Sequence, residues 1–228
     1  MAAEMKPIKI WGTPATNPVK VIIILKELNI PYELVTVPFP DVKNPEYLAI
    51  NPNGRLPAIY DPNTDLTLWE SGAIVEYLVE RYDTQHRLSF PTGTPESYLT
   101  KQWMYFQTTG QGPYYGQLAW FKKFHHEQLP SAIERFSNEV VRVTGVLESH
   151  LAGQKEKYAA HGSDSDGPWL VGNKLSYADI AFVPWQILGM HFLDKEKYDE
   201  AKFPNVKAWF DQMTSRELVK TVLRENGF

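Results

Sequence analysis

The chain has 228 residues, room for one large domain or two modest ones. A net charge of −4 and a pI near 5.9 argue against nucleic acid as a main partner. With no cysteine, disulfides, cysteine-based zinc sites and a protein thiol nucleophile are excluded, so any thiol chemistry must draw its sulfur from a ligand. The first residues, Met-Ala-Ala-Glu-Met-Lys-Pro, lack the apolar core of a signal peptide, and the longest apolar run, Val21 to Leu25, is far too short to span a bilayer. The expectation is a cytoplasmic protein that does not engage membranes.

Lys9 to Gly12 reads as a first strand. Asn17 then takes an N-cap position with Pro18 at N1, predicting a helix to about Asn29. Tyr32 to Val37 is a second strand, ended by Pro38-Phe39-Pro40, and Asn44 to Leu48 a short helix. Strands at Ala58 and Leu66 and a helix from Ser71 complete a βαβ unit followed by ββα. A strand–helix–strand crossover in one sheet should be parallel and right-handed. Phe90 to Pro95 reads as a linker, and no strand pattern survives beyond it. Helices are expected over Glu96–Gly110 and Gln117–Gln128, flanking a Gly-Pro-Tyr-Tyr-Gly break. Leu129 to Lys157 is a long amphipathic helix with Val140, Val143 and Leu147 on one face. Ala160 to Pro168 is a soft loop. Ser176 with Asp179 forms a capping-box-like pair, Pro184 should kink the helix it opens, and Phe203-Pro204-Asn205 starts another. The order predicts an α/β thioredoxin-like domain over residues 1–89 and an all-α domain over residues 96–228.

The segment from Asn51 to Gly72 carries the most chemistry. Pro57 stands at the entrance to the apolar strand Ala58-Ile59-Tyr60, where a missing backbone donor is tolerated, and the Leu56-Pro57 bond is a candidate for the cis form. Leu56 would then present its N–H and C=O outward, where a peptide-like ligand can pair with them as an added strand. Glu70-Ser71-Gly72 opens a helix whose first N–H groups and partial positive charge suit a carboxylate. Glu70 beside it can accept hydrogen bonds from an ammonium. One short segment could grip an amino acid's carboxylate, its amine and its peptide backbone together.

At these residues the chain resembles the glutathione transferase family. Asn-Pro-Asn-Gly-Arg-Leu-Pro-Ala (51–58) and Trp-Glu-Ser-Gly-Ala-Ile (69–74) look like its glutathione-site signature, and Gly172 to Ile180 like its second-domain signature. Thr16 to Lys20, Phe106 to Gly110 and Ala181 to Trp185 resemble the fungal subclass related to the yeast nitrogen-catabolite regulator, and its bacterial Nu-class relatives. The resemblance implies glutathione as co-substrate, no metal, a C2 homodimer and a site between the domains. It implies activation of the glutathione thiol for conjugation, peroxide reduction or disulfide reduction. The rival it implies is a glutathione-binding regulator acting through a protein partner.

The resemblance makes Asn17 the main catalytic candidate, since an amide N–H and a helix start both favour a thiolate, lowering thiol pKa values from about 8.5 toward roughly 3.5–7.5. Thr16, like Thr13, is a neighbouring hydroxyl donor. Glu70 and Ser71 are the ligand-binding pair, with Leu56 and Pro57 contacting the cysteinyl part and Lys43 and Arg55 meeting the glycyl carboxylate. At Val42 the chain departs from the yeast regulator, which has a glutathione-contacting histidine there. Tyr114, Tyr115 and Trp11, with Phe121 and Trp185, could wall a pocket for an apolar second substrate. Asp179 reads as structural, and adjacent His125 and His126 lack the i, i+4 spacing of a helical metal pair.

Overall fold

The computed structural model describes residues 5–159, 167–193 and 198–228. The soft loop expected from Ala160 lies mostly outside them. The chain divides into two compact units, residues 1–87 with 218–228, and residues 88–217.

The first unit is built on a four-stranded sheet in the order β2-β1-β3-β4, from β1 (Ile8–Gly12), β2 (Tyr32–Thr36), β3 (Ala58–Asp61) and β4 (Leu66–Trp69). β1 and β2 pair in parallel, Ile10 opposite Leu34, around the crossover helix α1 (Thr16–Glu27). β3 runs antiparallel to both β1 and β4, Ile59 facing Ile10 on one side and Leu68 on the other. Along β1, Ile8, Ile10 and Gly12 are buried while Lys9 is exposed and Trp11 half-exposed, the period-two signature of a strand. α1 is buried on nearly every side from Val19 to Leu25, so it is a core helix rather than an amphipathic one. α3 (Ser71–Tyr82) is fastened to the end of β3, because the Tyr77 hydroxyl donates to Asp61 at 2.7 Å and Tyr82 donates to the same carboxylate. A short helix, α2 (Pro45–Leu48), follows a 3-10 turn over Phe39–Lys43 that the sequence did not announce. The terminal helix α9 (Glu217–Glu225) belongs to this unit; it buries Val219, Val222 and Leu223 and pairs Glu225 with Lys26 at 2.7 Å.

Two local expectations are corrected. The cap of α1 is Ala15, in extended backbone at φ −161°, so Asn17 is the second helical residue rather than the cap. In the second unit, Gly112 to Gly116 is not a break. α4 (Pro95–Phe106) passes through a π turn, Gln107–Gln111, directly into α5 (Gly112–Ala119), and a second π turn follows over Trp120–Phe124. The wider turn accommodates Pro113 at the start of α5, where its missing N–H does no harm. The glycines serve packing instead: a Cβ on Gly116 would stand 3.3 Å from the Trp185 ring.

The rest of the second unit is helical: α6 (Pro130–Ala159), α7 (Tyr177–Phe192), which runs through Pro184, and α8 (Pro204–Ser215). Val140, Val143 and Leu147 are buried on α6 as the spacing required. Asp179 is wholly buried and organises the start of α7. One carboxylate oxygen accepts from the Ser176 N–H at 2.9 Å and its hydroxyl at 2.6 Å; the other accepts from the Leu170 N–H at 2.8 Å and Trp209 Nε1 at 2.9 Å. Burial holds its pKa above the usual carboxylate range even against those bonds. Among the described residues no helix is long and apolar enough to cross a membrane.

Candidate functional site

The site is assembled in the first unit from a loop and two helix starts. Leu56-Pro57 is cis, immediately before β3. Among the described residues Leu56 makes no backbone hydrogen bond, so its N–H and C=O stand at the end of the ladder with no strand beside them. The loop leading there is held rigidly. The Arg55 carbonyl accepts from the Tyr47 hydroxyl and Asn51 Nδ2, both at 2.7 Å, while Asn51 Oδ1 receives the Asn53 N–H at 3.0 Å. Gly54 has φ +57°, and a Cβ there would lie 2.6 Å from the Val42 carbonyl oxygen, so only glycine fits. Lys43 Nζ donates to the Asn53 carbonyl at 2.8 Å, and Asn53 Nδ2 reaches Glu70 at 3.5 Å. Lys43, Arg55, Leu56, Pro57, Glu70 and Ser71 thus sit on one connected stretch of structure.

Glu70 has φ 72° and ψ 113°, a conformation that non-glycine residues rarely adopt and that costs about 1–3 kcal/mol. It turns the chain into α3, which no side chain caps and whose first turn carries no acidic residue. The Ser71, Gly72 and Ala73 N–H groups therefore have no acceptor within the helix. Ser71 is buried, and its Oγ accepts a hydrogen bond from Lys20 Nζ at 3.0 Å. Lys20 is 1% exposed on α1. Burial lowers its pKa from an ordinary 10.5 to about 7, and the Glu70 carboxylate partly opposes that fall.

α1 opens in the same manner. No side chain caps it, its first turn has no acid, and its first two residues are Thr16, which is buried, and half-exposed Asn17. Gly12 packs at the end of β1 against Pro18, where a Cβ would meet the proline ring at 3.1 Å, and this fixes the entry to α1. One turn separates Asn17 from Lys20, so the Lys20–Ser71 bond links the two helix starts.

The three aromatic candidates do not share one environment. Trp11 lies with Val35, Val37, Tyr47 and Ile50 around a cavity of about 280 Å³ between the sheet and α2. Tyr114 is half-exposed on α5, near Phe136. Tyr115 is a core residue of the second unit, 1% exposed, its hydroxyl within hydrogen-bonding distance of Thr144 and Gln186 and its ring against Gly189. His125, His126 and Glu127 bring ligand-type atoms within 4.8 Å of one another, an association their adjacent spacing did not suggest. Sequence reasoning missed Lys20, although a lone lysine within Val19 to Leu25 is the signal that could have found it. It also missed Tyr47, Asn51 and Asn53, which hold the loop.

A βαβ-ββα domain with a cis-proline loop and two uncapped helix starts, followed by an all-helical unit, defines a thioredoxin-like protein carrying a helical second domain. Models of the glutathione S-transferase N-terminal and C-terminal domains match residues 17–86 and 113–217, respectively. The chain belongs to the glutathione transferase family. It is 56% identical over 214 residues to the glutathione S-transferase-like protein tpcF of Aspergillus fumigatus, covering 93% of each chain. Its structure matches that of glutathione transferase URE2P8 from Phanerochaete chrysosporium with oxidized glutathione, with a TM-score of 0.87, 38% identity, and coverage of 100% of this chain and 97% of that one. It also matches yeast Ure2p in complex with glutathione, with a TM-score of 0.86, 34% identity, and coverage of 97% and 100%.

Proposed function

We propose that the protein is a glutathione-dependent enzyme that binds the tripeptide along Leu56, Glu70 and Ser71 and activates its thiol at the start of α1. The observation that carries this reading is the conjunction at residues 70–73. A carboxylate held at a positive φ stands beside an uncapped helix start backed by a buried ammonium. Such a corner fits an amino acid's ammonium on Glu70 and its carboxylate on the Ser71 hydroxyl and the α3 N–H groups. Leu56, preceding the cis Pro57, offers its backbone to the cysteinyl residue as an added strand. Lys43 and Arg55 border the glycyl end.

The thiol then faces Asn17 and Thr16, whose helix start favours the thiolate. The thiolate's electron pair attacks an electrophilic carbon and forms a thioether, while the leaving group departs with the electron pair of the bond that breaks. Alternatively, it attacks one sulfur of a mixed disulfide, forming glutathione disulfide and releasing the other sulfur as a thiolate that takes a proton. With a hydroperoxide it attacks one oxygen and breaks the O–O bond, forming a sulfenic acid and releasing an alkoxide that takes a proton to leave as the alcohol; a second glutathione then attacks the sulfenic sulfur, giving the disulfide and water. A depressed thiol pKa trades nucleophilicity for thiolate fraction, which favours reactive acceptors. URE2P8 holds oxidized glutathione, and this supports including disulfide exchange. Tyr114 remains the candidate for contact with the second substrate. The assembly is a cytoplasmic C2 homodimer, and exposed Tyr98, Leu99 and Tyr105 on α4 supply apolar surface for pairing.

The test is turnover of glutathione with a conjugation substrate, a hydroperoxide and a mixed disulfide, in wild type and Asn17→Ala. The variant should lose kcat more than it raises KM for glutathione; an unchanged kcat refutes the role of Asn17. The likeness to Ure2p favours a second reading, a glutathione-binding regulator. Stoichiometric capture of a protein partner, with no turnover of any of the three substrates, would support it.

A further inference from the structure

We infer that Lys20 is a positioning residue of the proposed glutathione site: its ammonium, buried against the first residue of α3, fixes Ser71 Oγ as an acceptor and so turns the Ser71 hydroxyl hydrogen toward the ligand's α-carboxylate. The inference rests on the glutathione reading above and extends it to a residue that touches no ligand.

The argument is one of donor and acceptor inventory. A lysine ammonium has three donors and no acceptor, whereas a serine hydroxyl has one donor and two lone pairs. At 3.0 Å the Lys20–Ser71 contact can run only from nitrogen to oxygen. Ser71 Oγ makes no other hydrogen bond among the described residues, so its own hydrogen is left for a ligand acceptor. A serine alone at a helix start can rotate to accept from the helix N–H groups; one held by an ammonium is committed to donate. The ammonium also places a full positive charge behind the N–H groups of α3, where it adds to the helix dipole. The corner therefore selects a ligand with a carboxylate next to its ammonium, the γ-glutamyl end, over one that carries the ammonium alone.

Burial sets the working range. Glu70, at the junction of β4 and α3, is the group whose charge acts on Lys20 and holds its proton. Half-buried Glu76 lies further along α3, and Lys26 and Glu27 lie near the far end of α1. With its pKa near 7, Lys20 loses its proton in the neutral range. A neutral amine has a lone pair, so Ser71 can then turn its hydrogen inward. A bound carboxylate stabilises the ammonium and raises its pKa, so affinity is highest below about pH 7 and falls as pH rises through that value.

The test is calorimetric binding of S-methylglutathione, whose blocked thiol cannot titrate, to wild type, Lys20→Met, Lys20→Gln and Lys20→Met/Ser71→Ala between pH 6 and 8.5. A matching analogue with γ-aminobutyrate in place of γ-glutamate lacks the α-carboxylate and keeps the ammonium; a deaminated analogue keeps the carboxylate alone. Lys20→Met should bind S-methylglutathione and the deaminated analogue about tenfold to a hundredfold more weakly at pH 6.5, the range for a hydrogen bond involving a charge. It should bind the γ-aminobutyrate analogue as wild type does. The wild-type decline in affinity with pH should vanish in Lys20→Met. Lys20→Gln, a neutral donor, should recover part of the affinity without the pH dependence, and in the Ser71→Ala background Lys20→Met should cost little more. Equal affinities and parallel pH profiles in wild type and both single variants would overturn the role of Lys20 while leaving the glutathione reading standing. Wild type that binds neither S-methylglutathione nor glutathione would overturn both.

Discussion

Replacing Asp179 by asparagine gives the sharpest test of how the second unit is held together. The carboxylate serves four donors, two on each oxygen. Asparagine keeps one acceptor oxygen and presents an NH₂ group to the other pair. Two buried donors, either the N–H and hydroxyl of Ser176 or the Leu170 N–H and Trp209 Nε1, then lose their acceptor and meet another donor. At about 1–3 kcal/mol for each buried group left unsatisfied, the gross cost is about 2–6 kcal/mol. Removing a carboxylate that burial already disfavours returns part of it. A net loss of about 2–4 kcal/mol is expected, a large share of the roughly 5–15 kcal/mol that holds a domain folded. Urea unfolding followed by tryptophan fluorescence measures it, since Trp209 is itself a partner of the carboxylate. Trp209→Phe is a companion variant: it removes one donor and leaves a smaller aromatic ring at a fully buried site, and its cost should not add fully to that of Asp179→Asn. An Asp179→Asn protein within about 0.5 kcal/mol of wild type, the range of an ordinary surface change, would refute the reasoning.

Lys20→Met should stabilise the protein at neutral pH. The lysine pKa falls from 10.5 to about 7 on folding, so below pH 7 the proton is carried in both states and the full penalty is present, on the order of 5 kcal/mol. Above pH 7 the folded state releases its proton first, so wild-type stability rises toward pH 10.5 and the advantage of the variant shrinks; a variant less stable than wild type at pH 6 contradicts this. Glu70→Gly should be more stable than Glu70→Ala by about 1–3 kcal/mol, because glycine relieves the strain at φ 72°, and both should bind glutathione weakly. Equal melting temperatures would deny the strain, and wild-type affinity in either would remove Glu70 from the site. Gly189→Ala should lose about 1–3 kcal/mol, since its Cβ would stand 2.5 Å from the Tyr115 ring; an unchanged melting temperature would show that the ring moves aside freely.

The order of elements was legible because its signals are local. Strand alternation, the Pro38-Phe39-Pro40 stop and the buried face of α6 each depend on residues close in sequence. Gly112 to Gly116 misled for the opposite reason. Glycine and proline punctuate by composition, but here a π turn admits the proline and the Trp185 ring occupies the space a side chain would need. Asn17 reads as a cap because asparagine favours that position, yet the helix starts two residues earlier, with Ala15 as its cap and Gly12 packed on Pro18. Glu70 and Ser71 could be read as a pair because they are adjacent. Lys20 could not be joined to Ser71, because the two residues, 51 positions apart, are brought together only by packing α1 beside α3. Tyr115 reads as a pocket residue because glycines flank its segment; the partners of its hydroxyl, Thr144 and Gln186, come from distant helices and are visible only in the tertiary structure.

The central claim is that the corner formed by Glu70, Ser71 and Leu56 binds glutathione, and calorimetry of the wild-type protein with reduced and oxidised glutathione, side by side, tests it most directly. The account predicts saturable binding at one site per chain, weakened at least tenfold in Glu70→Ala. Preference for the oxidised form would direct the search toward disulfide exchange, and preference for the reduced form toward conjugation or peroxide reduction. Binding of neither form at millimolar concentration would contradict the account.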